Sequence, residues 1–330
     1  MGKEIFLQHI NSIEIINDKI FVGSFPDGLL VYNKVGQLIS KIGRRGFGPG
    51  EYKYGDDFAL NTIGEFLYIN DRTKIVKYDS NGNFVYEFPL TQFGTKFNDI
   101  KYKAGLLYLA EGISMGYAKY DWVIIDTLGT LINEKLNYIP TFYTKWGGSG
   151  KFMQNREKIY YYNDFNDTIF SLTTEDNMFF DKGTFRLPVN DIERFGDYLN
   201  IYSILLTSRY LYLWYYYNGF DYSGIIDIKK NEYTITSKNN DKDRCQFYGP
   251  GIPNDIDGGL NFQAFNHFVS MEDEYLVGWF FPYELKAHVT SDAFKNFTPK
   301  YPEKKRELEQ LANSLSENDN PVLMIVKLKE

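Results

Sequence analysis

The 330-residue sequence predicts an all-β protein built from repeated four-stranded antiparallel sheets. Three observations carry that reading. Short segments rich in β-branched and aromatic residues alternate with Asn, Asp and Gly turns along most of the chain. The segments fall in groups of four, and the groups begin near residues 12, 57, 98, 151, 202 and 265. Aromatic residues make up 18% of the chain, as 28 Tyr, 27 Phe and 4 Trp, and sheets packed face to face are where bulky rings of that number can be buried.

The clearest group comprises residues 57–61, 66–70, 74–79 and 84–88. Its last two segments flank Ser80-Asn81-Gly82-Asn83, and Asn-Gly between apolar runs is the strongest short hairpin signal. The group before it reads 12–16, 19–24, 29–33 and 37–42, turning at Asn17-Asp18 and Lys34-Val35-Gly36. The third reads 98–103, 106–110, 122–126 and 131–135, the fourth 151–155, 158–162, 168–173 and 178–181, and the fifth 202–207, 210–216, 224–227 and 232–237. A sixth has 265–270, 274–281 and, after a long interruption, 322–328, without a fourth strand. The N-terminal segment 4–8 belongs to no group and is expected to supply it. The groups start 45, 41, 53, 51 and 63 residues apart. Four strands per period of about 40–50 residues is the signature of β-propeller blades. The expectation is therefore a single six-bladed β-propeller domain over residues 1–330, with four-stranded antiparallel blades and a ring closed by the N-terminal strand.

Composition excludes several classes. Apolar residues at 43% and charged residues at 24% give ample material for a core and argue against disorder. No apolar run approaches the roughly 18–20 residues needed to cross a bilayer as a helix. The net charge is −7, from 36 basic and 43 acidic residues without a Lys/Arg cluster, which argues against nucleic acid as a partner. The one cysteine, Cys245, permits no internal disulfide. No cofactor is expected, and the expected state is a monomer.

The stretch Ile42-Gly43-Arg44-Arg45-Gly46-Phe47-Gly48-Pro49-Gly50-Glu51-Tyr52, followed by a blade ending in a Lys-Tyr-Asp-x-Asn-Gly-Asn-Phe turn, resembles the NHL-like six-bladed propellers of Bacteroidota. Residues 318–325, Asn-Asp-Asn-Pro-Val-Leu-Met-Ile, resemble the closing segment of those proteins. The resemblance implies an exported protein of unassigned function, periplasmic or anchored at the outer membrane as a surface lipoprotein. Met1-Gly2-Lys3-Glu4 leads directly into a strand, so no signal peptide or lipid-acceptor cysteine is read there, and location rests on the resemblance alone.

Loop lengths distinguish the two faces. Connections from first to second and third to fourth strands are short, whereas 43–56, 111–121, 136–150, 186–201, 238–264 and 282–321 are long and share the opposite face. Long loops in compact domains carry function disproportionately, so the binding site is expected there. The last of them is expected to hold a helix, about 283–320, in which Leu308, Leu311, Ala312 and Leu315 form an apolar stripe that packs onto the propeller.

Catalytic motifs are weak. Gly112-Ile113-Ser114-Met115-Gly116 has the letters of a nucleophile elbow without the strand-to-helix context. Gly148-Ser149-Gly150-Lys151 lacks the first glycine and the final hydroxyl of a phosphate loop. Asp255-Ile256-Asp257-Gly258 reads as an Asx-type turn, not a calcium loop. His9 and His267 are expected to be packed in blades, and His288 sits in the insertion, so no metal centre is expected.

Aromatic runs on second strands, such as Tyr160-Tyr161-Tyr162, are core. The aromatics assigned to long loops are Tyr52, Tyr54, Tyr117, Tyr120, Trp146, Tyr222 and Tyr283, rings suited to stacking on a sugar or docking on a protein. Arg44, Arg45, Glu51, Asp56, Asp57, Arg72, Asp164 and Asp255 add hydrogen-bonding charges, and His288 completes the set of ligand-binding candidates. Two function classes follow. The favoured one is a non-catalytic binding propeller whose long-loop face takes a glycan, peptide or protein. The alternative is a hydrolase or lyase using paired carboxylates among Asp56, Asp57, Asp164 and Asp255.

Overall fold

The computed structural model describes residues 7, 9–112, 117–137, 150–156, 158–163, 168–172, 178–179, 200–217, 220–240, 250–263, 266–269 and 274–328. The fold is an all-β propeller of four-stranded antiparallel blades with few helices. Blade one holds β1 (Ser12–Ile16), β2 (Lys19–Ser24), β3 (Gly28–Asn33) and β4 (Leu38–Ile42). Blade two holds β5 (Phe58–Leu60), β6 (Phe66–Asn70), β7 (Lys74–Asp79) and β8 (Phe84–Pro89). Blade three holds β9 (Phe97–Lys103), β10 (Leu106–Glu111), β11 (Tyr120–Asp126) and β12 (Leu131–Leu136). Blade four holds β13 (Gly150–Gln154), β14 (Ile159–Asn163), β15 (Thr168–Ser171) and β16 (Met178–Phe179), and blade five β17 (Asn200–Leu206), β18 (Tyr210–Tyr217), β19 (Phe220–Asp227) and β20 (Glu232–Asn240). Strands pair in sequence order within each blade.

Among the described residues, five blades have four strands, not the expected six. The last sheet has three, β21 (Asn266–Val269), β22 (Glu274–Phe280) and β23 (Val322–Lys327). After β22 the chain turns into α1 (Pro282–Thr290), α2 (Asp292–Asn296) and α3 (Pro302–Ser314) and returns only as β23. The segment expected to supply the fourth strand lies outside the described residues except for Leu7. That residue is buried, and its N–H donates to Asn320 Oδ1 at 2.7 Å, just before β23.

Two compact units can be drawn, one of Gln8–Tyr198 with Phe268–Asp273, the other of Met1–Leu7, Leu199–His267 and Glu274–Glu330. In the first, the core consists of one apolar cluster per blade contact. Alternation along the second strands shows how this works. Leu67 and Ile69 of β6 enter a cluster with Phe21, Leu29 and Val31 of blade one, while Tyr68 between them joins Phe97, Leu107 and Leu109 of blade three. On β10 the same alternation sends Leu107 and Leu109 back to blade two, and Tyr108 and Ala110 forward to Phe152 and Tyr161 of blade four. A strand with apolar residues at every position is thus buried on both faces. Each buried large side chain contributes about 1.5–3 kcal/mol. Rings fill these gaps edge to face, as Tyr108 meets Phe152 at 6.3 Å and 78°. The first strands lie beside one another, β1 by β5, β5 by β9 and β9 by β13. The fourth strands are outermost, and β12 is almost wholly exposed.

In the second unit, three helices form where the sequence reading placed one. Proline opens α1 and α3, where its missing N–H costs nothing, and Ser291 Oγ caps α2 by accepting from Phe294 N–H at 3.1 Å. Leu285, Val289, Phe294 and Ala312 form a buried cluster against which Leu308 and Leu315 pack, so the α3 stripe, expected to pack onto the propeller, packs chiefly against α1 and α2 and leaves Leu311 exposed. Lys286 Nζ donates to the carbonyls of Ala312 and Leu315 at 3.2 and 2.6 Å, closing the end of α3.

Candidate functional site

The loop from Ile42 to Phe58 carries seven of the expected site residues, and its geometry divides all but Asp57 into two groups. The Gly48-Pro49-Gly50-Glu51-Tyr52 stretch is architecture. Gly46 N–H donates to Tyr52 O at 3.0 Å, Tyr52 N–H to Arg44 O at 3.2 Å and Glu51 N–H to Gly48 O at 3.0 Å, folding the loop back on itself. Glu51 Oε2 accepts from Gly48 N–H at 2.9 Å and Oε1 meets Arg44 Nε at 2.5 Å. The Gly48 N–H first, and Arg44 after it, hold the Glu51 carboxyl below its ordinary pKa. Tyr52 was expected on the loop surface. Instead it has no exposed surface and belongs to the core between blades one and two, 6.4 Å from Tyr78 in a T-shaped contact.

The second group lines a hollow of about 270 Å³ formed by His9, Asn11, Phe25, Tyr54, Asp56 and Arg72. His9 and Asn11 precede β1, Phe25 lies in the β2–β3 turn, Tyr54 and Asp56 in the β4–β5 loop and Arg72 in the β6–β7 turn. All four connections enter or leave strands on one face of their blades, the face of the long loops. Asp71 Oδ1 accepts from both Lys53 and Tyr54 N–H, at 2.8 and 2.7 Å, and pins the loop beside the turn. Burial raises the Asp71 pKa, and the Tyr54 and Lys53 N–H groups oppose the shift. The next residue, Arg72, has φ 62° and lays its guanidinium over the Tyr54 ring at 4.1 Å. Its Nη2 is 4.0 Å from Asp56 Oδ2. Arg45 stacks on Phe25 at 4.9 Å and donates to Pro26 O and Lys53 O, bracing the rim. His9 is exposed, a correction to its expected burial: it precedes β1 instead of lying in it.

Of a charged cluster on the inner strands, sequence reasoning named Asp57 and missed Glu14, Asp99 and Lys101. Glu14 of β1, Asp57 just before β5, and Asp99 and Lys101 of β9 are each half-buried. Burial raises Glu14 to about pH 7 against the pull of Lys101, and raises Asp57 well above its ordinary range with help from the charge of Asp99. Asp99 is also raised by burial, while Lys101 and the Phe152 N–H work against it. Burial on its own would lower Lys101, but Asp99, Glu14 and Asp57 together raise it. Every carboxylate holds a donor. Glu14 Oε2 accepts from Leu60 N–H at 3.2 Å, Asp99 Oδ2 from Phe152 N–H at 2.6 Å, and Asp57 Oδ2 from Asn70 Nδ2 at 2.9 Å. Asn70 also donates to Phe97 O at 3.0 Å and accepts from Arg72 N–H at 3.0 Å, which links the cluster to the turn above. The signal available in the sequence was a charge at an interior position of otherwise apolar first strands, as in Ile13-Glu14-Ile15 and Asp99-Ile100-Lys101.

The remaining candidates lie elsewhere. Tyr117 is exposed, but Tyr120 is buried in β11 against Phe93 and is not a loop residue. In the other unit, Tyr222 belongs to β19 and stacks on Tyr215 at 5.1 Å. Asp255 is exposed in a turn built by Asn254, whose Oδ1 accepts from Ile256 N–H at 3.1 Å and whose Nδ2 donates to Asp257 at 2.7 Å, the expected Asx turn. Tyr283 is exposed on α1 and stacks on Phe281 at 5.7 Å. His288 Nε2 lies 2.8 Å from Gly258 O and its ring packs on Phe294. Trp146, Asp164, Cys245 and residues 113–116 lie outside the described residues. Among the described residues, no group of three or more His, Cys, Asp or Glu side chains is arranged to hold a metal ion, and no helix is long and apolar enough to cross a membrane.

Residues 2–327 match the model of a family described as a domain of unknown function, DUF4934. The chain belongs to that family. The DUF4934 fold is similar to that of a "putative exported protein" of Bacteroides fragilis NCTC 9343, with a TM-score of 0.68 and 18% identity over 100% of this chain and 93% of that one. The WD40 repeats of RRP9 align over 84% of this chain and 88% of that one at 9% identity and a TM-score of 0.46. The WD40 propeller domain of Doa1 aligns over 72% and 71% at 10% identity and a TM-score of 0.43. No curated protein matches the DUF4934 chain. What is shown is DUF4934 membership and the propeller fold, and the NHL-like heading remains a resemblance of the loop and its hairpin.

Proposed function

We propose that this chain is a non-catalytic binding propeller, one domain over its whole length, that uses its long-loop face for a glycan, peptide or protein ligand. The observation that carries the reading is the hollow itself. Arg72 stacked on Tyr54, with Asp56, Asn11 and His9 around it, converges polar groups of both signs on a concave surface. Such convergence is what small-ligand sites use to fix orientation. The charged cluster beneath it supports binding more than turnover, because its carboxylates are engaged by Leu60 N–H, Phe152 N–H and Asn70. Export is proposed from the Bacteroides neighbour, whose name describes an exported protein, and from the resemblance of the loop motif.

The test is a glycan array and a partner pull-down with the wild-type chain and a Tyr54→Ala/Arg72→Ala variant. The reading expects a retained ligand that the variant loses. No retained ligand sinks it, and turnover of a carbohydrate or peptide substrate by the wild-type chain would favour the hydrolase or lyase alternative.

A further inference from the structure

We propose that the hollow binds an acidic sugar, a single pyranose-sized ring bearing a carboxylate that Arg72 holds. The proposal rests on the binding reading above and names the ligand class of the same hollow.

The guanidinium of Arg72 is oriented without being consumed. It lies 4.1 Å from the Tyr54 ring, its side chain is 39% exposed, and its nearest carboxylate oxygen, on Asp56, is 4.0 Å away, outside hydrogen-bond reach. A cation fixed by stacking keeps its N–H fork available, and that fork matches a carboxylate in two parallel bonds. The backbone points the same way. The other described non-glycine residues at positive φ, Asn17, Asp18, Ala104 and Asn231, lie in hairpin turns from first to second or third to fourth strands. Among the described residues, Arg72 alone has this conformation in a second-to-third turn, on the hollow's face. Strain of this kind persists where the surroundings impose it, here through Asn70 Oδ1 on the Arg72 N–H and Arg72 O on the Phe97 N–H.

The remaining lining selects a sugar over a peptide. Asn11, Asp56 and His9 offer donors and acceptors in the mixture that ring hydroxyls need, and Phe25 supplies an apolar edge. A volume of about 270 Å³ is just below the usual range of small-molecule sites, about 300–1,000 Å³, and fits one ring. A peptide adding as a strand needs open backbone groups, yet Ser12 Oγ already donates to Asp56 O at 2.7 Å and Glu14 accepts from Leu60 N–H.

Calorimetric titration of the full chain with D-glucuronate and D-galacturonate, against D-glucose, D-galactose and the tripeptide Gly-Gly-Gly, tests the proposal. The expected result is binding of an acidic sugar about tenfold or more tighter than its neutral counterpart, the scale of one charge-assisted hydrogen bond. Arg72→Gln is expected to abolish that preference. Arg72→Asn, a residue that tolerates the left-handed backbone, is expected to abolish it with an unchanged thermal midpoint, which separates ligand contact from folding. Equal binding of neutral and acidic sugars, tighter binding of Gly-Gly-Gly, or an undiminished preference in Arg72→Asn overturns the proposal. If none of these probes binds but an array glycan or protein is retained in a Tyr54-dependent way, the acidic-sugar proposal is overturned and the binding reading stands. If nothing is retained in either assay, both fall.

Discussion

The Tyr52 hydroxyl donates to the Ile42 carbonyl oxygen across 2.6 Å. The Tyr52 hydroxyl oxygen itself accepts from Leu29 N–H at 3.3 Å, so one buried phenol closes the loop between blades one and two against the edge of β3 and the end of β4. The stretch with the strongest family character is therefore a clamp for two blades. Its neighbours Arg44 and Glu51 are paired with each other.

Removing that hydroxyl leaves the Ile42 carbonyl and the Leu29 N–H without this partner inside the core. Tyr52→Phe is expected to cost about 1–3 kcal/mol. That is a fall in thermal midpoint of roughly 2–6 °C, read by calorimetry. Ligand retention by the hollow should not change.

Gly50 sits at φ 67°, and a Cβ there would come within 2.8 Å of the Phe84 ring. Its carbonyl accepts a short hydrogen bond from the Tyr78 hydroxyl. Gly50→Ala should cost well over 1 kcal/mol, from the left-handed backbone and the ring clash together. Gly36→Ala is the control, since its φ is 79° but no atom lies within 4 Å of the added carbon. Denaturant midpoints of the two variants should separate, with Gly50→Ala the lower.

Lys101 is the cation that Glu14, Asp57 and Asp99 share. Lys101→Met leaves three half-buried acids without their shared cation, which is expected to cost about 1–3 kcal/mol at neutral pH. The sign with pH is opposite to that of ordinary carboxylates. Glu14, raised from 4.5 to about 7, binds its proton more tightly in the folded chain, so stability falls as pH rises through that window. The variant lacks the opposing cation and should lose stability more steeply there, with its midpoint partly restored by acidification. A variant whose midpoint is as independent of pH as that of an exposed Lys→Met control would contradict this account.

Asp121 is fully buried, accepts from Asn163 Nδ2 at 3.4 Å and lies 3.9 Å from Lys135 Nζ. Burial raises its pKa from 3.8 to about 6, with Lys135 opposing. The folded chain holds this proton more tightly than the unfolded one, so the site lowers stability progressively as pH rises from about 4 to 6. Asp121→Asn should therefore raise stability at pH 7 by on the order of 1–3 kcal/mol. The gain should vanish below pH 4, measured as denaturant midpoints across the range.

The strands were legible because period-two patterning and turn residues act locally. The strands Ser12–Ile16, Lys19–Ser24, Phe66–Asn70 and Lys74–Asp79 have the boundaries that the sequence implies. Helices α1 and α2 were not, because Pro282–Thr290 is held by contacts with residues distant in sequence, such as Ala312 and Leu315, more than by an amphipathic pattern of its own. The loop aromatics show the same limit. Nothing local separates Tyr52, buried under Ile42, from Tyr54 two residues on, which lines the hollow: the difference is made by Asp71 and Arg72 of the next blade. Glu14, Asp99 and Lys101 were passed over because charges within strands are ordinarily on a solvated face, and only the apposition of first strands encloses them.

The acids of the inner strands have an evolutionary consequence. Glu14 of the first blade satisfies an amide of the second, and Asp99 of the third satisfies one of the fourth. Each of these blades therefore carries a group whose use lies in its successor. A duplicated, deleted or transplanted module would leave a half-buried carboxylate facing no amide at one junction and an orphaned amide at the other. Recombination in this lineage is expected to preserve neighbouring pairs of modules, and an engineered exchange of one blade should succeed only when the acid travels with the strand that it serves.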